Sequence, residues 1–152
     1  MMFSVRSLLI LSCSKKKKNL SRARAVDIYD GPSFRILRHH FPMNLDALVL
    51  SAKYGLIEGS TLISPYDLKM TLDVANEMRS KVTKNLIHLI INNNYQKIAI
   101  NLGKTYMQAI DLDDLTKIAP NMEIFGGGIG ARNHQLLKWL TTSVEMDNYD
   151  RT

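Results

Sequence analysis

The chain has 152 residues, one cysteine and a net charge of +6, from 20 lysines and arginines against 14 acids. That length suits one domain able to bury a core of its own, and the ordinary apolar content excludes a disordered or fibrous chain. A single cysteine excludes an internal disulfide and, with few histidines and none clustered in a ligand pattern, gives no zinc site; a reducing, cytoplasmic setting with no metal and no cofactor is the expectation.

Ser7 to Leu11 is an apolar run of strand length, and Ser12-Cys13-Ser14-Lys15 is its exit loop. The run follows Arg6 and superficially resembles a signal peptide, but four lysines, Lys15 to Lys18, stand where a small-residue cleavage site belongs. Those lysines, with Arg22, Arg24, Arg35 and Arg38, concentrate positive charge in the amino-terminal part of the chain. Such a patch favours nucleic acid over a membrane, and no apolar run is long enough to span one. Small residues and lysines together suit phosphate; a solubilising basic loop is the plainer alternative. Cys13 has no partners at the spacing of a nucleophilic triad and reads first as a packed small residue.

Ser21 to Tyr29 reads as a helical turn leading to Asp30-Gly31-Pro32-Ser33, a turn that opens a short helix with Phe34, Leu37 and Phe41 on one face. Phe34 reads as core, while Arg35 and Arg38 lie on the flank. His39 and His40 are adjacent, point apart and make a poor metal pair. Ala47 to Leu50 is an unbroken apolar run, the mark of a strand buried on both faces. It leaves into Ser51-Ala52-Lys53-Tyr54-Gly55-Leu56-Ile57, followed by Pro65-Tyr66-Asp67. A Lys, a Tyr and an Asp gathered beyond a strand exit suggest chemistry; a turn with Gly55 at positive φ and Lys53 in water is the plainer alternative.

Leu72 to Ile91 carries the longest three-and-four spacing of apolar residues, a helix ended by Asn92-Asn93-Asn94. Lys97 to Leu102 is the third strand, leaving into Gly103-Lys104-Thr105-Tyr106. Gly-Lys-Thr suggests a phosphate loop of the Walker type, but Ile98 stands where the first glycine must be. A helix over about Tyr106 to Ile110 precedes the fourth strand, Met122 to Phe125. Gly126 to Ala131 then satisfies a loose G-x-G-x-x-G/A before a helix over Asn133 to Leu140. The further strand and acid that a dinucleotide needs are missing, so the glycines read as an anion contact at a helix end. Residues 1–142 form the expected domain, and 143–152 a polar tail whose last part, Glu145 to Thr152, frays.

Strands alternating with helices predict a single α/β domain with a mainly parallel sheet of four or slightly more strands and helices on both faces. In such a sheet the strand exits share one edge, so Ser14, Lys53, Gly103 and Gly127 are expected around one cavity.

The segments Leu-Ser-Cys-Ser-Lys at 11–15, Ile-Tyr-Asp-Gly-Pro-Ser-Phe-Arg at 28–35, Leu-Ser-Ala-Lys-Tyr-Gly-Leu-Ile at 50–57 and Pro-Tyr-Asp at 65–67 resemble a bacterial and phage family of small, largely uncharacterised domains. That family is related in pattern to the YaaA peroxide-stress proteins. More remotely, the α/β plan is similar to the uracil-DNA glycosylase superfamily, although Gly-Gln-Asp-Pro-Tyr and His-Pro-Ser segments are absent. The resemblance implies a uracil-DNA-glycosylase-like fold and cleavage of the N-glycosidic bond of a modified base in DNA, leaving an abasic site. On that reading Asp67 and Lys53 are the catalytic candidates. Cys13, Ser14, Lys15, Tyr29, Arg35, Ser51, Tyr54, Gly55, Tyr66, Gly103, Lys104, Tyr106 and Gly127 are the candidate substrate contacts. A hydrolase of free nucleosides or nucleotides, and a non-catalytic nucleic-acid-binding stress or defence module with Asp67 as a helix cap, are the alternatives.

Overall fold

The computed structural model describes residues 6–144. Strand β1 (Ser7–Ser12) lies at the centre of a five-stranded sheet, parallel to β3 (Leu45–Ser51) on one side and to β6 (Lys97–Asn101) on the other. The short β7 (Glu123–Ile124) continues the parallel order beyond β6, and β4 (Gly55–Glu58) closes the other edge antiparallel to β3, giving β4-β3-β1-β6-β7.

The apolar runs alternate between two cores. Leu8, Ile10, Leu48, Leu50, Ile98 and Ile100 face one side, where α3 (Leu72–Asn93) and α5 (Leu112–Ile118) bury Val82, Leu86, Ile90 and Leu115 against them. Leu9, Leu11, Ala47, Val49 and Ala99 face the other, under α1 (Ala25–Ile28), α2 (Pro32–His39) and α6 (Ile129–Lys138). A strand flanked on both faces has no polar side to alternate with, which is why β1 and β3 read as continuous apolar runs.

Chain direction fixes where a ligand can enter. From β1 the chain passes to the α1–α2 side; from β6 it passes through α4 (Lys104–Met107) and α5 on the opposite side. The exits of β1 and β6, neighbours in the sheet, therefore diverge and leave a crevice, the topological switch point of an open α/β sheet.

Several elements differ from the sequence reading. The exit loop expected over Ser51 to Gly55 is shorter at both ends: Ser51 closes β3, and Gly55, at φ +72°, turns the chain back on it as the start of β4. A second small sheet, β2 (Ala23–Arg24) with β5 (Leu62–Ile63), left no periodic signal because each strand is two residues long. Helix α4 ends at Met107, and α6 starts four residues earlier than expected, taking Gly130 into its first turn, then continues as a π-helical turn over Trp139–Val144. That turn runs past residue 142, and Glu145 to Thr152 lie outside the described residues. Phe41 does not share the buried face of Phe34 and Leu37: it lies beyond the end of α2 and is 46% exposed. Among the described residues no helix is long and apolar enough to cross a membrane.

Candidate functional site

The β1 exit loop is built against the Asp30-Gly31 turn. Ser14 Oγ accepts from Gly31 N (3.2 Å) and donates to the Lys16 carbonyl (2.7 Å), while Asp30 N and Lys18 N donate to the Lys16 and Ile28 carbonyls. A Cβ at residue 31 would lie 2.8 Å from Ser14 Cβ, so only glycine lets the two segments close. The loop is thereby fixed, and of its four lysines Lys15 and Lys17 line the crevice whereas Lys16 and Lys18 do not.

Asp30 also organises the arginines. Arg35 meets its carboxylate with Nε and Nη2 at 3.2 and 3.1 Å, and Arg38 reaches it at 2.7 Å while donating to the Val26 and Tyr29 carbonyls. The Arg35 hydrogen bond, with the neighbouring positive charges, holds the Asp30 carboxyl down to about 2. Because the folded value lies below the unfolded one, these pairs contribute stability above about pH 4 that is lost as pH falls towards 2. Thermal melts between pH 2 and 5 should show that acid loss in the wild type and a shallower one in Asp30→Asn.

The β3 exit is locked by hydroxyls. Ser51 is fully buried; its Oγ accepts from the Lys53 and Tyr54 amides (both 3.1 Å) and bonds Tyr66 Oη at 2.6 Å. Tyr66 Oη continues to Tyr29 Oη, also at 2.6 Å. Two amides occupy the Ser51 lone pairs, so its proton goes to Tyr66, and Tyr66 donates to Tyr29. Burial pushes the Tyr29 hydroxyl up to about 12 and raises Tyr66 further, so both keep their protons. The Lys17 ammonium sits 4.6 Å from the Tyr66 ring centroid and that of Lys53 5.3 Å from the Tyr54 ring, cation–π contacts on two faces of one aromatic cluster.

Between the β1 and β6 exits opens a cavity of about 620 Å³, of the size that holds a small ligand. Cys13, Ser14, Lys15 and Lys17 line one wall, Gly103, Lys104, Thr105 and Tyr106 the other, and Asp67 to Met70 close it. Cys13 Sγ and Tyr106 Oη meet across it at 3.0 Å. Four lysines and one carboxylate, Asp67, are the charged side chains of the lining. Asp67 is exposed and makes no hydrogen bond or ion pair among the described residues. It does not cap α3; Thr71 does, its hydroxyl accepting from Val74 N. A larger cavity of about 680 Å³ lies at the opposite, amino-terminal edge of the sheet, where Arg6–Asp46 and Arg24–Asp27 pairs use up charge on both sides.

The sequence matches, over residues 8–142, the DUF6884 family, a family of unknown function. The chain belongs to this family. A fold of the same kind occurs in AF0587, a protein of unknown function whose crystal structure superposes with a TM-score of 0.53 at 12% identity, over 93% of this chain and 45% of that one. The chain thus spans about half the length of that neighbour. No curated protein matches the sequence.

Of the residues singled out in the DUF6884 sequence, Cys13, Ser14, Lys15, Asp67, Gly103, Lys104 and Tyr106 line one cavity. Tyr29, Ser51 and Tyr66 form the hydroxyl chain beside it. Lys53 does not join the lining, because the β3–β4 turn lays it over Tyr54 and Tyr66. Tyr54 and Gly55 belong to that same turn and also stay out of the lining. Arg35 is spent on Asp30, and Gly127, at φ +90°, turns the chain into α6 without lining the cavity. Of the other lining residues, Lys17 was read only as part of the lysine run, and Leu68, Lys69, Met70 and Thr105 were missed. Nothing in the pattern separates Lys17 from its neighbours in the run or marks the other four.

Proposed function

We propose that the chain hydrolyses the N-glycosidic bond of a modified base in DNA. One observation carries the reading: Asp67 stands unpaired in a nucleotide-sized cavity whose other charged groups are Lys15, Lys17, Lys69 and Lys104. Departure of a base leaves positive charge on the sugar, and an unpaired carboxylate is the group that favours it. As the C1′–N bond breaks, its electron pair leaves with the base. Water adds at C1′ and gives its proton to Asp67. The lysine ammonium groups hold the flanking phosphates and offset the negative charge on the departing base. Tyr106, Leu68 and Met70 supply an apolar surface for an extruded base. Lys53, placed away from the lining, takes no part in this scheme. The likeness to the uracil-DNA glycosylase superfamily in general plan supports the same reading.

The test is incubation of the protein with duplex and single-stranded DNA carrying different modified bases, followed by alkali to cut abasic sites. Base release from free nucleotides but from no DNA would move the assignment to nucleotide hydrolysis. Binding without release from either would make the protein a binding module. If phosphates dominate recognition, affinity for DNA falls by about 0.9 log units per log unit of salt for each phosphate neutralised. A titration series from 50 to 300 mM salt reads that slope, and a flat line excludes the lysine cavity as the DNA contact.

A further inference from the structure

Four arginines have acidic partners, Arg6 with Asp46, Arg24 with Asp27, Arg35 and Arg38 with Asp30, and Arg79 is held by the Gln108 carbonyl and Asn76 on α3, away from the cavity wall. Arg132 is different. It stands in the first turn of α6, half-buried, and among the described residues no carboxylate reaches it. Its Nη1 donates to Asn101 Oδ1 at 3.1 Å, and its Nη2 lies 3.7 Å from the point a Gly103 Cβ would occupy, a point 3.9 Å from the Tyr106 ring. Gly103 and Tyr106 are wall residues of the cavity, so the guanidinium stands directly behind that wall at the switch point.

Two further features show what the arrangement lacks. Asn101, 1% exposed at the end of β6, has its oxygen turned to Arg132, and its side-chain nitrogen is left buried without an acceptor. Gly128, the cap residue of α6, offers no side chain to that helix's first amides. A guanidinium with no counter-charge beside it and a helix start with no side-chain cap both favour negative charge; the Asn101 nitrogen is too deeply buried to meet a ligand. Burial lowers the Arg132 pKa, which marks the cost of keeping this cation out of water with no counter-charge beside it.

We propose that Arg132, which does not itself line the cavity but is held by Asn101 behind the bare backbone of Gly103, takes an oxyanion of the substrate over that glycine in a forked contact, alongside the lysines of the lining. This deepens the proposed reaction on DNA, since it assigns the group that anchors the nucleotide while Asp67 faces the sugar. It fits a phosphodiester within DNA or the terminal phosphate of a free nucleotide, and the experiment separates the two.

Inorganic phosphate, a deoxynucleoside 5′-monophosphate and a 12-nucleotide single strand are titrated into wild type, Arg132→Gln, Arg132→Lys and Gly103→Ala by calorimetry. Arg132→Gln should weaken phosphate at least tenfold, and Arg132→Lys should recover only part of the loss because an ammonium has no fork. Gly103→Ala leaves the backbone free of strain, puts a methyl against the guanidinium and should weaken phosphate similarly, so it decides the matter if Arg132→Gln folds poorly. Loss on the monophosphate alone places a terminal phosphate at Arg132; loss on the strand as well places a diester there. Unchanged phosphate binding in Arg132→Gln, or in Gly103→Ala where the former does not fold, overturns the assignment. Failure of base release in the wild type, with these binding losses intact, would instead remove the glycosylase reading and leave the phosphate site standing.

Discussion

Asp67→Asn should abolish most base release while leaving DNA binding equal to or tighter than that of the wild type. The substitution keeps the shape of the side chain and removes the charge that the transition state needs most, since positive charge on the sugar is larger as the bond breaks than in the bound substrate. One well-placed electrostatic group is worth about 2–4 kcal/mol, so single-turnover release should fall by about 30- to 10³-fold. Binding moves the other way because Asp67 shares its cavity with four lysines that attract phosphate, and its own charge opposes them. Stability should stay within about 0.5 kcal/mol, since Asp67 is exposed and Thr71 caps α3 in its place. A fall in stability of about 1 kcal/mol would give Asp67 a structural role that its exposed position does not predict. Release unchanged in the mutant would remove it from the chemistry.

The general plan was legible because both faces of β1 and β3 are buried, so Leu8 to Leu11 and Ala47 to Leu50 carry no polar alternation and stand out as strands. Direction followed, and with it the crevice beside Cys13 and Gly103. What stayed hidden depends on contacts distant in sequence. Lys53 lies at a strand exit, but Gly55 folds β4 back on β3 and carries Lys53 onto the tyrosines; an antiparallel edge strand of four residues is too short to announce itself. Arg35 looked available for phosphate until Asp30, five residues earlier in the chain, closed on it across the Gly-Pro turn. Asn101 and Arg132 are 31 residues apart and belong to no motif; each is ordinary until the β6 exit and the α6 start are brought together. Glycine spacing marked the start of α6, but Gly127, at φ +90°, shapes the turn into that helix and does not line the cavity.

Ser51→Ala should be the most destabilising small change at the site, by about 2–4 kcal/mol. The hydroxyl is fully buried and makes three hydrogen bonds, so the methyl leaves the Lys53 and Tyr54 amides without their acceptor and Tyr66 without its donor. Each group left unsatisfied in a part-buried setting costs about 1–3 kcal/mol, and the sum is tempered where an amide at the turn finds water. For a domain of this size the expected fall in Tm is roughly 2–4 °C for each kcal/mol. Tyr66→Phe supplies the comparison: it removes the hydroxyl between Ser51 and Tyr29 but leaves the two turn amides held by Ser51, so it should cost less than half as much. Urea unfolding of the two variants reads the difference directly. Equal losses would mean that the Tyr29–Tyr66 link, and not the β3–β4 turn, is what Ser51 secures. A loss below about 0.5 kcal/mol for Ser51→Ala would show that the turn stands without it. Because Tyr66 immediately precedes Asp67, the hydroxyl chain from Ser51 also anchors the segment that carries this carboxylate, and a turn freed by the methyl should loosen Asp67 along with it.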